Sequence, residues 1–220
     1  EQLFNGQAKL SGTGKVDFFD ALHSDMNLPE LKVAKQDKML TVSPSTGTIA
    51  IGRDKLAFKW TTEKIVQRGA GNAVELANLG MQIEMANRHR GIGSAALTIG
   101  KLSTSQGTAE EFKLISEVSQ QGDRLDMSVT PSLKSASFGG KLVTDLMLQF
   151  AFKGMHAASM ETLIDLSGKS CGFRNLTQEE NKLMRTATRH LLSSGFSAGI
   201  TKLSGAVDGG SLAGNLMVEL

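Results

Sequence analysis

The chain has 220 residues and a mass of 23.4 kDa, enough for one large domain or two small ones, and a compact fold of that mass buries roughly 70% of its unfolded surface without disulfide or metal staples. Twenty-four Lys and Arg against 22 Asp and Glu leave a net charge of only +2, too weak a field to hold a polyanion, which argues against nucleic acid as a partner. No apolar run reaches the roughly 18 residues of a membrane-spanning helix, and one Cys allows neither an intrachain disulfide nor a multi-cysteine metal site.

The chain opens at Glu1 with no initiator Met and no charged-then-apolar leader, so a trimmed or mature chain whose targeting segment is missing is expected. Gly12-Thr13-Gly14 is followed by Lys15, but Val16 stands where a phosphate loop needs Ser or Thr. Period-two alternation of apolar residues, the mark of a half-buried strand, appears at Leu56, Phe58 and Trp60, just after the hairpin-sized connector Gly52-Arg53-Asp54-Lys55. Arg68 to Asn72 is the most polar, Gly-rich interruption and the one place for a weak subdivision; a single continuous β-rich domain over 1–220 is the simpler reading. The phase then slips by one residue at Asn78, between Val74, Leu76 and Leu79, Met81, which predicts a bulge there. Met81, Ile83 and Met85 continue the alternation into the connector Asn87 to Gly91, and Ala95, Leu97 and Ile99 follow it. After Gln120 to Asp123 come Leu125, Met127 and Val129, and the clearest strand runs from Leu142 to Phe152, with Leu142, Leu146, Leu148, Phe150 and Phe152 on its even face. Connectors this short cannot hold crossover helices, so the expected fold class is mainly β, with α+β as the variant: an extended, curved antiparallel sheet of sequence neighbours. His156 to Leu166 reads as a shorter helix stopped by Gly168. A clear one covers 178–194, opened by the capping box Thr177/Glu180 and closed at Gly195.

Signals for chemistry are weak against their structural explanations. Gly91-Ile92-Gly93-Ser94-Ala95-Ala96 fits a dinucleotide fingerprint, but Leu97 and Ile99 carry strand period where a helix should begin, so a Gly-rich hairpin is the better reading. His23, His89, His156 and His190 share no metal-ligand spacing with one another or with Cys171. His89 sits between Arg88 and Arg90 as in a solvated turn, and His190 suits a helix C-terminus. Cys171 has Lys169 nearby but matches no catalytic-cysteine signature. No cofactor or metal is expected, and the enzyme reading has no convergent residue set. Few amphipathic aromatics, one Trp and no Tyr, disfavour recognition by stacking.

From about Val74 onward the chain resembles the YdgA-like family of proteobacterial envelope proteins, a family of unknown function. The resemblance rests on Leu76 to Ile83, on Leu97-Thr98-Ile99-Gly100-Lys101-Leu102, on the long strand ending Phe152-Lys153-Gly154-Met155-His156-Ala157-Ala158-Ser159-Met160, and on Ile200-Thr201-Lys202-Leu203-Ser204 through Leu216 to Leu220. At Met155-His156 the chain departs from the Leu-Asp of that pattern. The resemblance implies a periplasmic body held at the inner membrane by an N-terminal anchor, and it carries over no catalytic residues.

The expected function is non-enzymatic. A sheet with one apolar face, centred on Leu146, Leu148, Phe150, Phe152, Met81 and Met85, would accept a lipid-like or other hydrophobic ligand, with core packing the structural alternative for the same residues. A module that docks an envelope protein or a second copy through its sheet is the other reading.

Overall fold

In the computed structural model, which describes residues 10–16, 21–69, 71–169, 174, 176–192 and 195–219, the period-two segments pair into one antiparallel sheet of 13 strands. Five short strands come first: β1 (Ser11–Val16), β2 (Leu22–Leu28), β3 (Leu31–Lys35), β4 (Lys38–Val42) and β5 (Ser45–Ile51). Six long ones follow as a meander: β6 (Leu56–Gly69), β7 (Asn72–Asn87), β8 (Ile92–Thr104), β9 (Gly107–Gln121), β10 (Arg124–Phe138) and β11 (Lys141–His156). Helices α1 (Ala157–Lys169) and α2 (Gln178–Leu191) interrupt the meander before β12 (Ser197–Val207) and β13 (Gly210–Glu219). The spatial order is β1-β2-β5-β6-β7-β8-β9-β10-β11-β12-β13, with the β3–β4 hairpin attached through β4 to the second half of β6. The sheet is open, since β1 and β13 lie at its two edges.

Local chemistry accounts for the turns. Gly139 and Gly140 close the β10–β11 hairpin with φ of 56° and 80°, and Asp208 and Gly209 close β12–β13 with 49° and 82°. Positive φ at both central residues is the turn whose twist matches the flanking strands, and Gly or Asp tolerates it best. At α2 the predicted capping box is present: Glu180 N–H donates to Thr177 Oγ1 at 3.2 Å and Thr177 N–H to Glu180 Oε2 at 2.9 Å. That helix ends at Leu191, three residues before the predicted 194, and the shorter one reaches Lys169 instead of stopping at Leu166. Cys171 lies outside the described residues.

The phase slip at Asn78 has a different form from the predicted bulge. Asn78 does adopt φ 55°, yet the β6–β7 and β7–β8 ladders run through it in unchanged register, Thr62↔Leu79 to Lys64↔Ala77 and Leu79↔Ile99 to Ala77↔Lys101. The reason is that neighbouring strands slip at the same row. Glu111 on β9 (φ 52°) and Asp145 on β11 (φ 51°) lie on it, opposite Gly100 and Lys134. Each strand from β6 to β11 thus resumes its apolar alternation one residue out of phase, at Ile65, Leu76, Leu102, Ala109, Ala136 and Val143, and these six still face one another. A transverse crease results, braced on the charged side by Lys64–Glu75 at 2.8 Å and Lys134–Glu111 at 2.6 Å. Leu142, expected with Leu146 on the even face, is therefore displaced to the other phase and is 50% exposed.

The tightly packed core is small. Leu125, Met155, Ala157 and Phe196 are buried where the helical pair meets the end of β8–β12, with Ile92, Val118, Met127, Phe152, Met160, Leu191 and Ala198 packed around them. The accessible surface is 14530 Å², against about 9,700 Å² for a compact monomer of this mass. The chain thus buries about 57% of its unfolded surface instead of the expected 70%, because among the described residues the sheet has no second layer over most of either face.

Candidate functional site

Direct cross-strand partners in an antiparallel sheet project to the same face, so the ladders identify which residues share one. One row reads Phe58, Ile83, Ala95, Ser116, Val129, Phe150, Ile200, Leu216 from β6 to β13. The next reads Trp60, Met81, Leu97, Leu114, Pro131. A third holds Thr62, Leu79, Ile99 and Phe112, with Leu133 paired to Leu146 beyond it. The opposite face carries Lys59, Gln82, Glu84, Ser94, Lys113, Glu117 and Ser128 at the alternating positions. The sheet therefore has one apolar and one polar side, and the apolar side is continuous across at least seven strands.

That apolar side is mostly bare. Phe58, Trp60, Ile83, Leu97, Ile99, Phe112, Leu114, Val129, Leu133 and Ile200 are all only half-buried, screened by neighbours on the same sheet and, among the described residues, by no second layer. The helical pair covers one end only, the row of Val118, Met127, Phe152 and Ala198. Six expected site residues consequently separate into two environments. Phe152 packs at the margin of the core. Leu146, Leu148 and Phe150 are half-buried further along the same strand, Met85 is half-buried, and Met81 is 39% exposed. Met81 and Met85 share the face with the β11 residues but stand four strands away, about 19 Å across the sheet. Trp60, Leu97 and Ile99, read from the sequence as strand positions and not as site residues, lie between or beside them with Phe112 and Leu114, which the sequence reading did not name. The alternation that identifies them is the same, but its phase changes at the crease and has to be tracked through each strand.

Trp60 is the best-defined group on this face. Its ring lies over Gly47, where a Cβ would come within 2.4 Å of Trp60 Cε3, so glycine is required for the close approach. Trp60 Nε1 donates to Thr62 Oγ1 at 3.1 Å, and Thr62 Oγ1 is 2.8 Å from Ser45 Oγ. The buried Thr62 hydroxyl satisfies the indole N–H, and Ser45 in turn holds Thr62.

The polar side carries two shallow cavities that share Gly93 and Ser94, one of about 550 Å³ and one of about 660 Å³. In the first, the polar groups serve the fold: Asp126 Oδ1 accepts from Gly154 N–H at 2.9 Å and Gln149 Oε1 from Thr201 Oγ1 at 2.8 Å. His156 Nδ1 is 3.0 Å from Ser159 Oγ at the start of α1, and His89 occupies the β7–β8 turn, as its flanking arginines suggested. Among the described residues no group of three or more His, Cys, Asp or Glu is placed to hold a metal ion. Gly91 to Ala96 forms a turn and the start of β8, the hairpin reading of that motif.

Among the described residues two carboxylates and one amine are perturbed. The hydrogen bond and charge of Lys134 hold Glu111 below the usual carboxylate range, and Glu111 raises Lys134 in return. Hydrogen bonds from the Thr177 backbone and side chain lower Glu180. All three belong to the crease or a helix cap, and they account for structure without chemistry.

The sequence pattern of a bacterial protein family of unknown function, DUF945, matches residues 1–220, the whole chain. No curated protein and no solved structure matches.

Proposed function

The chain belongs to this bacterial family of unknown function, and from that premise we propose that its bare apolar face is a binding surface for a lipid-like hydrophobic ligand. The observation that carries the reading is the continuity of half-buried Phe, Leu, Ile and Met side chains across β6–β12 with no layer of described residues over them. Monomeric proteins rarely leave contiguous apolar patches above a few hundred Å² to water, and larger ones mark binding or docking sites. Seven strands spaced about 4.8 Å apart, over rows spanning about 20 Å of strand, make a patch well above that range. An acyl chain suits it: the face is non-directional and lacks hydrogen-bonding side chains apart from Trp60, Thr62 and Ser116.

The finer assignment to the YdgA-like group belongs to the same proposal, and with it a periplasmic body held at the inner membrane. Its support is the set of strand and turn phrases from Leu76 to Leu216.

One observation favours a second reading, assembly through the sheet. All ten residues of the edge strand β13 are exposed, including Leu212, Leu216, Met217 and Val218, and the strand has neither Pro nor Lys. Edges are normally blunted by such residues, and an unblunted edge is a template for another strand.

Two variants test the choice. Leu97→Lys places a charge in the middle of the face, and Met217→Lys places one on the edge. The lipid reading expects Leu97→Lys to abolish binding of a fluorescent fatty acid and Met217→Lys to leave it intact. Binding lost only with Met217→Lys, together with a fall in solution mass, would establish the assembly reading instead.

A further inference from the structure

We infer that two copies of the chain join edge to edge through β13, about a two-fold axis at Asn215, into one continuous antiparallel sheet whose apolar sides lie on the same surface. This rests on the assembly reading given above, to which it adds the occupant, the symmetry and the register, and it stands beside the lipid reading without depending on it.

The edges of the sheet are not alike. Among the described residues three strands have an unpaired side: β1, β3 and β13. β1 has six residues, among them Gly12, Gly14 and Lys15, and β3 has five, with Lys32 and Lys35. Short length and Lys are ordinary means of keeping an edge from taking up another strand. β13 has neither. It runs ten residues, Gly210–Glu219, exposes Leu212, Leu216 and Val218 at 46%, 64% and 54%, and carries one charge, Glu219. It is also regular. None of its residues has a positive φ, and the register shift against β12 sets Thr201 and Lys202 against Asn215, so the extra residue lies on the inner strand.

The sequence of β13 fits its own copy. Leu216 pairs with Ile200 and Val218 with Ala198, which puts the even positions on the apolar side and Ala213, Asn215 and Met217 on the polar side. Only a register that pairs even with even keeps both apolar sides on one surface. With Asn215 opposite Asn215 of the second copy, Leu212 meets Val218 and Leu216 meets Gly214 on the apolar side. The two amides, each both donor and acceptor, then bond each other on the polar side. The strand's one charge does not oppose this. Antiparallel pairing sets Glu219 opposite Ser211 and places the two Glu219 about 27 Å apart along the strands, well past a screening length of about 8 Å. A parallel pair would set them side by side. A head-to-tail contact of β13 with β1 would leave a free edge at each end and propagate into a filament, which Lys15 and the glycines of β1 disfavour.

The test compares the parent chain with Leu216→Lys, Leu216→Glu and an equimolar mixture of the two by sedimentation equilibrium. Across the axis, residue 216 of one copy lies diagonal to residue 216 of the other, about 7 to 8 Å away. Like charges there, added to the lost apolar contact, weaken the pair, and opposite charges restore it. The inference predicts a parent of twice 23.4 kDa and a dissociation constant at least about tenfold higher for each variant alone. The mixture recovers the dimer, and isotope labelling of one variant shows it by native mass spectrometry to be a one-to-one pair. Variants that dissociate and stay apart when mixed overturn the two-fold register. A dimer that both variants preserve places the interface away from β13 and overturns the inference while the assembly reading stands. A parent mass that climbs past two copies with concentration makes the contact head-to-tail and overturns the closed pair. A parent that is monomeric throughout overturns the inference and the assembly reading together and leaves the lipid reading untouched.

Discussion

Truncating Phe150 to Ala distinguishes a bare face from a covered one by its cost. Phe150 pairs with Val129 and Ile200 and is half-buried, with lateral neighbours on the sheet and no overlying layer among the described residues. A fully packed Phe→Ala change costs about 3 to 5 kcal/mol, because the lost transfer energy is joined by the cost of an enclosed cavity. Here no cavity closes, and partial burial leaves only a fraction of the ~1.5 to 3 kcal/mol that complete burial of such a side chain provides. The expected loss is about 1 to 2 kcal/mol. Leu125 supplies the internal standard: it is 0% exposed inside the core cluster, and Leu125→Ala should cost about 3 to 5 kcal/mol. Urea unfolding followed by far-ultraviolet circular dichroism gives both values from the midpoints, provided the slopes match the parent's. A Phe150→Ala cost equal to or greater than that of Leu125→Ala would refute the reasoning, because it would mean that something covers the face in solution.

The remaining predictions concern the crease, the Trp60 seat and the helix cap. Asn78→Val puts a β-branched residue at φ 55° and should lower stability by about 1 to 2 kcal/mol, whereas Asn78→Gly should be near neutral; equal midpoints for the two in urea would remove the left-handed residue from the account. Gly47→Ala forces a Cβ to within 2.4 Å of the Trp60 ring and 2.7 Å of Lys59 O. It should shift the emission of the chain's single Trp, and an unchanged spectrum would contradict the seat. Thr177→Ala removes the α2 cap and should cost about 1 kcal/mol. Because the folded state lowers Glu180, its share of that cap is present above the ordinary carboxylate pKa and is lost as the pH falls through the depressed one; a Thr177→Ala penalty that grows on acidification would reverse the sign.

The sequence made the long strands legible because each buries one side at least partly, so Leu125, Met127 and Val129 or Phe150 and Phe152 stand out at period two. The early strands were not legible for the opposite reason. β1 is exposed at all six positions, and an edge strand that buries neither face imposes no alternation on its residues. Register was harder still: the slip at Asn78 was visible, but the matching slips at Glu111 and Asp145 that preserve the ladders act between strands, and no single strand's pattern contains them. Burial was the largest gap. Leu148 and Phe152 have the same alternation in the sequence, yet one lies on the open face and the other against the core. Period two reports that a face is apolar and carries no information about what lies over it.

The central claim, that the apolar face is a lipid-binding surface, is tested most directly through Trp60, the only Trp in a chain with no Tyr, which sits on β6, the strand at one margin of that face. Phosphatidylglycerol carrying bromine on its acyl chain quenches an indole only at contact, and the unbrominated lipid serves as control. The account predicts saturable quenching by the brominated lipid alone, lost in Leu97→Lys. Emission that stays unquenched while the same lipid is shown by mass to be bound would place the ligand elsewhere and contradict the claim.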